Sequence, residues 1–192
     1  MARLRARSVC HVDGGLSDAE LARTEATFGF RFADDHRAFL TAGLPVDTRP
    51  EPDASDAVPA RPPRWPDWRR HDPDALRERL RLPVEGVVFD VEHNAFWYPR
   101  WGTRPERPED AVQIARRELA QVPIMVSVYG HRYLPSGAGT SGHPVLSMRQ
   151  TDIIYYGLDI ADYIDREFGH VEWVDDPAWD PEATVDFWRD LV

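Results

Sequence analysis

The feature that most limits the fold is a series of short apolar segments that follow one another in the second half of the chain. Residues 123–129, 132–134 and 144–149 are each predicted to form a β-strand, and a glycine-rich loop at 136–142 lies between the last two. Segments predicted to form helices precede and follow this group. This order predicts an α+β fold with a mostly antiparallel sheet flanked by helices.

A further β-hairpin is predicted just before these strands. Residues 86–91 are rich in valine and phenylalanine, which is typical of a strand. Residues 95–98 form a second such run, and Glu92, His93 and Asn94 would make the turn between the two.

Helices are predicted where capping signals precede apolar residues at helical spacing. Ser17 and Glu20 form a capping box, and Gly29 is expected to end the helix that they begin. Asp72 and Pro73 have the residue types of an N-cap and a first helical position. The same reasoning predicts helices at 34–41, at 108–120, after Gly157, and after Asp180 and Pro181.

Two further segments, one between the predicted helices and one at the N-terminus, are not expected to form regular structure. Eight prolines fall at positions 45, 50, 52, 59, 62, 63, 66 and 73, so residues 47–62 are expected to form a mobile loop. Trp65 and Trp68 would hold its end against the body of the protein. Residues 1–13 are expected to be a frayed N-terminal segment.

Length and composition exclude several classes of protein. A chain of 192 residues is most often one domain, and its single cysteine excludes an intramolecular disulfide framework. The longest apolar stretch, 123–128, is too short to span a membrane, and residues 1–8 lack the apolar region of a secretory signal. The sequence therefore predicts a cytoplasmic protein that does not bind a membrane.

The net charge of −10 belongs entirely to the last part of the chain. Residues 150–192 contain 12 acidic residues and 2 arginines, whereas residues 1–149 contain 21 of each sign, and every basic residue is an arginine. Apolar residues at helical spacing interrupt the acidic ones, so residues 171–192 are predicted to form an acidic helical extension packed on the domain. The overall charge disfavours nucleic acid as a partner.

One group of residues has the chemistry of an enzyme. Asp90, Glu92, His93 and His131 could together ligate a divalent metal or perform acid–base catalysis in a hydrolase. The alternative is that Asp90, Glu92 and His93 are part of a solvated turn. The glycine-rich loop lacks the Lys-Ser/Thr ending of a phosphate-binding loop.

Three stretches together resemble the SMI1/KNR4 family, also called the SUKH superfamily. The first contains Leu16-Ser17-Asp18-Ala19-Glu20-Leu21, Phe28-Gly29-Phe30 and Phe39-Leu40, with Ala33 where members usually have proline. The second contains Gly86-Val87-Val88-Phe89-Asp90, Phe96-Trp97 and Trp101-Gly102, and is similar to the central hairpin of the family. The third contains Pro144-Val145-Leu146-Ser147 and continues from Gln150 to Ile164.

The resemblance covers residues 14–170 and implies a single SUKH-like domain with a twisted sheet. It also implies a binding role without catalytic residues or cofactor. Many bacterial members are immunity proteins that block a cognate polymorphic toxin, and fungal relatives are regulatory scaffolds.

We therefore expect a non-enzymatic protein-binding domain whose partner is a protein, such as a basic toxin domain. Acidic residues would increase the association rate with a cationic partner. The steering residues would be Asp152, Asp159, Asp162, Glu172, Asp175 and Asp176. The anchoring residues would be Trp101, His131, Arg132 and Tyr133.

Overall fold

The structure, a computed structural model, describes residues 1–7, 10–47, 64–70, 72–169 and 185–192. These residues form an α+β fold with two antiparallel sheets, which confirms the predicted fold class. The expected mobile loop at 47–62, apart from Asp47, lies outside them. So do residues 171–184 of the acidic extension, with Glu172, Asp175 and Asp176.

The N-terminal part contains three helices and a small sheet. The elements are α1 (Ala2–Arg7), β1 (His11–Asp13), α2 (Asp18–Phe28), α3 (Asp34–Ala42) and β2 (Leu44–Val46), and β1 pairs antiparallel with β2. The expectation that residues 1–13 fray is wrong for those that the structure describes, because Leu4 and Cys10 are buried. Burial raises the pKa of the Cys10 thiol to about 11.

The predicted capping signals of α2 are confirmed. The Ser17 hydroxyl accepts a hydrogen bond from the Glu20 backbone N–H at 3.3 Å, and the Glu20 carboxylate accepts one from the Ser17 N–H at 2.8 Å. Gly29 ends the helix at φ +72°, in the left-handed region that glycine adopts without strain.

The predicted hairpin at 86–98 is wrong. Helix α4 (Pro73–His93) begins at the predicted Asp72 cap and continues for 21 residues, with Pro83 inside it. Residues at helical spacing along its whole length are buried, so tertiary packing decides its conformation rather than the strand propensity of residues 86–91. The central hairpin that the family resemblance implied is therefore replaced here by the end of a helix.

The main sheet is an antiparallel meander in the order β3 (Met125–Tyr129), β4 (Arg132–Pro135), β5 (Val145–Arg149) and β6 (Asp152–Gly157). The first three strands are predicted ones, and β6 was not predicted. Helices α4 and α5 (Pro108–Leu119) cover one face of the sheet, where Val88 and Leu119 pack with Met125 and Leu146. Helices α1 and α6 (Ile160–Phe168) cover the other face. The predicted helices at 108–120 and after Gly157 are thus confirmed.

Two short 3₁₀ turns, Pro99–Trp101 and Trp188–Leu191, complete the described elements. The predicted last helix begins at Asp180, outside the described residues, and its end is the second of these turns. The Trp188 indole is buried in the main core and donates to the Pro123 carbonyl at 3.1 Å. The predicted role of Trp65 and Trp68 agrees with their burial: Trp65 stacks on Phe168 at 5.4 Å between ring centroids.

Gly86 allows α4 to approach the turn between β5 and β6. A Cβ at this position would lie 2.8 Å from Cα and 3.0 Å from the backbone nitrogen of Gln150. A Gly→Ala change inside a helix usually stabilises, by about 0.5–1 kcal/mol. Here we expect Gly86→Ala to lower the free energy of unfolding by about 2 kcal/mol, because the backbone of the turn must move.

Urea denaturation of Gly86→Ala and of Glu78→Ala measures this sign reversal. Glu78 is exposed on the same helix, so its replacement reports helix propensity alone, and we expect a change within about 0.5 kcal/mol. A stabilised Gly86→Ala protein would contradict the close approach.

Candidate functional site

A cleft of about 940 Å³ lies between α4 and the end of the main sheet at which the β3–β4 and β5–β6 turns lie. One wall is the exposed face of α4. The other is formed by the β3–β4 and β5–β6 turns, and it contains two of the predicted anchoring residues, His131 and Tyr133. Arg64 and Arg79 close one side, and Arg149 lies at the β5 end.

The α4 wall is a stripe of residues at positions i, i+3, i+4 and i+7: Leu82, Glu85, Gly86 and Phe89. This spacing places them on one face of the helix. Leu82 is 53% exposed and Phe89 is 45% exposed, which makes them two of the most exposed large apolar side chains of the described residues. The Phe89 ring also contacts that of His93, at 4.5 Å between centroids.

The charge of Glu85, a carboxylate on this wall, is already balanced. Arg116 of α5 donates to both of its carboxylate oxygens, at 2.7 and 2.8 Å. These hydrogen bonds lower the pKa of Glu85, so it is ionised and paired at neutral pH.

Arginine side chains supply the polar character of the cleft. The Arg79 guanidinium is half-buried and donates to the Arg64 carbonyl at 2.8 Å, and burial lowers its pKa. Arg64 donates to the Tyr129 hydroxyl at 3.1 Å, and its own carbonyl accepts from the Gly130 N–H at 2.7 Å. The buried Tyr133 hydroxyl donates to the Arg79 carbonyl at 3.3 Å. These contacts fix the arginine side of the cleft against the sheet.

His131 lies exposed at the β3–β4 turn. Its pKa is lowered first by partial burial and then by the positive charges of Arg132, Arg149 and Arg64. The imidazole is therefore neutral at pH 7, and the surroundings of the ring carry a positive potential.

Asp90, which was assigned either to a hydrolase site or to a solvated turn, lies in a buried hydrogen-bonded contact and not in a solvated turn. Its carboxylate is buried and accepts from the Asn94 side-chain amide at 2.6 Å and from the Thr151 N–H and hydroxyl at 2.8 and 2.6 Å. Burial alone would raise the pKa of Asp90, but the hydrogen bonds from Thr151 and Asn94 lower it overall. The carboxylate thus ties α4 to the β5–β6 turn.

The other members of the predicted hydrolase site do not join Asp90. Glu92 and His93 are exposed and lie 3.6 Å apart, and His131 lines the cleft. Within the described ranges, no group of three or more His, Cys, Asp or Glu side chains is placed to hold a metal ion.

The structure separates the predicted anchoring residues. Tyr133 faces α4, whereas Arg132 lies on the opposite face of the sheet. The Arg132 guanidinium lies 3.6 Å from the centroid of the Tyr156 ring and donates to the Ser147 hydroxyl at 3.0 Å. Trp101 is stacked on Phe187 at 5.7 Å, away from the cleft lining. Only His131 and Tyr133 share the cleft.

The described acidic residues also differ in role. Asp152 is exposed at the start of β6. Asp162 forms an ion pair with Arg166 at 2.7 Å and accepts from the Leu158 N–H. Asp159 caps α6 by accepting from the N–H groups of Ala161 and Asp162, each at 2.8 Å.

Replacing the cap of α6 gives a stability effect. We expect Asp159→Ala to lower the free energy of unfolding by about 1 kcal/mol, because two backbone N–H groups lose their acceptor. Chemical denaturation at neutral pH measures this, and Asp152→Ala, which removes the same charge, is the control. An equal loss in both variants would assign the effect to net charge.

The glycine-rich loop is occupied by side chains of α3. The N–H groups of Gly139 and Gly142 donate to the carboxylates of Asp34 and Asp35, at 3.0 and 2.8 Å. Two carboxylates stand where a phosphate-binding loop would place its ligand, so this loop serves to join α3 to the sheet.

Most residues that line the cleft were not predicted as site residues from the sequence, among them Arg64, Arg79, Leu82, Phe89 and Arg149. The spacing of Leu82 and Phe89 places them on one face of a helix, and this could have been recognised from the sequence. It was missed because residues 86–91 were assigned to a strand. Arg79 and Arg149 have no local signal, because only the packing of α4 on the sheet brings them together.

Comparisons of the chain with protein-family models, curated proteins and solved structures find no match. No helix in the described part of the chain is long and apolar enough to cross a lipid bilayer. The geometry of the cleft is therefore the observation from which a function can be proposed.

Proposed function

We propose that the protein is a non-enzymatic binding domain that contacts a partner protein through the cleft between α4 and the main sheet. The observation that carries this proposal is the pairing of two exposed apolar side chains, Leu82 and Phe89, with the arginines of the opposite wall. Aromatic residues and arginine are the types most enriched in protein interfaces.

Contacts within the protein fix the two walls of the cleft relative to each other in the absence of a partner. Gly86 seats α4 directly against Gln150, and Asp90 joins the same helix to Thr151. Arg64 and Arg79 are joined to the β3–β4 region by hydrogen bonds. A surface fixed in this way loses little conformational entropy on binding, which favours affinity.

The role that we propose for this binding is immunity, in which the domain occludes a cognate toxin. The resemblance to the SUKH superfamily supports this role, and a regulatory scaffold is the alternative. A basic partner would be attracted by the acidic residues of 150–192. Asp152 is the described residue suited to this, because Asp159 and Asp162 already hold α6.

Site-specific photo-crosslinking tests the docking surface. A benzophenone amino acid replaces Phe89 in one variant and Ile154 in the other, and both are produced in the source cells. Ile154 is 51% exposed on β6 and lies outside the cleft lining, so it is the matched control. We expect a discrete adduct from position 89 alone. Adducts of equal yield from both positions, or none from position 89, would contradict the proposal.

A growth assay separates immunity from scaffolding. The immunity role predicts a toxin gene beside the gene of this protein. The protein is co-produced with that toxin, and protection is compared for the wild type, Phe89→Ser and Ile154→Ser. Under the immunity role, the wild type and Ile154→Ser protect while Phe89→Ser does not. Binding without protection would favour the scaffold.

A further inference from the structure

We infer that the cleft recognises a short acidic segment that the partner carries besides its basic surface, with carboxylates on Arg64 and Arg149 and a large apolar side chain between Leu82 and Phe89. This inference rests on the proposed binding function and adds the chemistry of the ligand. The two walls of the cleft carry it separately, because one is cationic and the other is apolar.

The wall of the cleft that contains Arg64 and Arg149, here called the cationic wall, carries positive charge that a ligand can neutralise. The exposed Arg149 guanidinium forms no ion pair with any residue that the structure describes. Arg64 donates to the Tyr129 hydroxyl; this hydrogen bond and the charges of Glu167 and Asp47 raise its pKa, but within the described residues neither carboxylate forms an ion pair with it. Glu85, which also lines the cleft, is paired with Arg116. Arginine pairs with carboxylates in a bidentate geometry, so carboxylates suit this wall.

The same two arginines, Arg64 and Arg149, also act electrostatically on His131. Arg132, Arg149 and Arg64 each lower the pKa of its imidazole, and Arg132 does so from the far side of the sheet. Positive charge is therefore concentrated at this edge of a protein whose net charge is −10. A local patch of the opposite sign to the whole molecule is suited to a short, oriented acidic ligand.

The apolar wall, formed by Leu82 and Phe89 of α4, favours a ligand that carries an apolar side chain as well as charge. Leu82 and Phe89 lie two helical turns apart on α4, and both leave about half of their surface in water. Met148, which is already buried, also lines the cleft and adds a further apolar contact. An apolar side chain inserted here would gain mainly from the burial of Leu82 and Phe89.

A peptide fits these features better than a nucleic acid does. Nucleic acid carries a charge on every phosphate, and the net charge of −10 disfavours such a polyanion as a partner. A peptide can confine its few carboxylates to the cationic wall.

Fluorescence anisotropy with the full-length protein tests this inference. The probe is a short fluorescein-labelled peptide of alternating Asp or Glu and Trp residues. One control peptide has Asn and Gln in place of the acids, another has Ala in place of Trp, and a labelled oligothymidylate is the nucleic-acid control. We expect binding of the acidic tryptophan peptide, weakened at high salt, with about tenfold weaker binding by each control peptide.

Matched variants locate the binding. Arg149→Gln and Phe89→Ser should each weaken it about tenfold, whereas Arg117→Gln and Ile154→Ser should change it less than about twofold. Arg117 pairs with Glu118 on α5, outside the cleft lining, and all four positions are exposed, so circular dichroism should show unchanged folding.

Several outcomes would overturn the inference. One is equal binding of the Asn and Gln peptide, which would remove the role of charge. Another is tighter binding of oligothymidylate that Arg149→Gln weakens, which would make the ligand a nucleic acid. A third is binding seen only after Glu172, Asp175 and Asp176 are neutralised, which would make this chain's own acidic stretch the occupant. A crosslink at position 89 without peptide binding would leave the docking proposal standing and remove only the ligand chemistry.

Discussion

Asp90→Ala is expected to lower the free energy of unfolding by about 3–5 kcal/mol, as measured by urea denaturation at neutral pH. The substitution removes a buried carboxylate that accepts three hydrogen bonds, and it leaves the Thr151 N–H and hydroxyl without their acceptor. Because the pKa of Asp90 is lowered in the fold, this contribution is present at neutral pH and is lost as the pH falls through the folded-state pKa.

Two further variants are the controls for Asp90→Ala. Asp90→Asn keeps the volume and one acceptor, so we expect a loss of about 2 kcal/mol. Glu92→Ala removes an exposed carboxylate from the same helix, and we expect a change within about 0.5 kcal/mol. If Asp90→Ala were as stable as Glu92→Ala, the carboxylate would not be the tie between α4 and the β5–β6 turn.

Acid should destabilise the protein through the buried side chain of His36. His36 is 1% exposed between aromatic rings, with Phe32 at 5.2 Å, and burial lowers its pKa from 6.5 to about 3. The unfolded chain takes up a proton below pH 6.5 and the folded protein does not, so stability falls as the pH falls from 6.5 towards 3. Between about pH 7 and about pH 4.5, His36 should contribute a loss of about 2.5 kcal/mol.

The measurement is the difference in free energy of unfolding between the wild type and His36→Leu across this pH range. Leucine retains apolar volume beside Phe32 and Phe39 and cannot be protonated, while the carboxylates, which also titrate, are common to both proteins. His93→Gln replaces an exposed histidine on α4 and is the control for the loss of an imidazole as such. A parallel pH dependence for the wild type and His36→Leu would show that His36 is protonated within the fold.

The helices and strands with local signals could be predicted from the sequence. Ser17, Glu20 and Gly29 determine the ends of α2 through hydrogen bonds within a few residues. The strands β3, β4 and β5 are marked by apolar runs on both sides of the glycine-rich loop. In each of these cases, local chemistry and the final packing favour the same conformation.

Helix α4 shows where local chemistry fails. Pro83 is typical of a helix end, and the valines of 86–91 are typical of a strand, yet the helix continues through both. The burial of Val87, Val88 and Val91 against α5 and the sheet outweighs these local preferences. The small sheet of β1 and β2 was missed for a related reason, because its three-residue strands gain stability only from their neighbours.

The candidate site was only partly predictable for the same physical reason. His131 and Tyr133 lie at the start of a strand that the sequence predicts, so their position at one end of the sheet could be inferred. The apolar wall exists only because residues 73–93 form one helix. The cationic wall joins Arg64 and Arg149, and Arg79 of α4 contacts Arg64, so the proximity of these arginines depends on how α4 packs on the sheet.

Cys10 gives this fold a chemical reporter of its own motions. Its thiol is buried with Leu4 and Trp65, and its pKa of about 11 keeps it protonated at neutral pH, so a thiol reagent should scarcely react with the closed protein. Reaction then requires the N-terminal helix and strand to open. Because this is the one thiol in the chain, the rate of alkylation measures how often that opening occurs, and it does so without any introduced label.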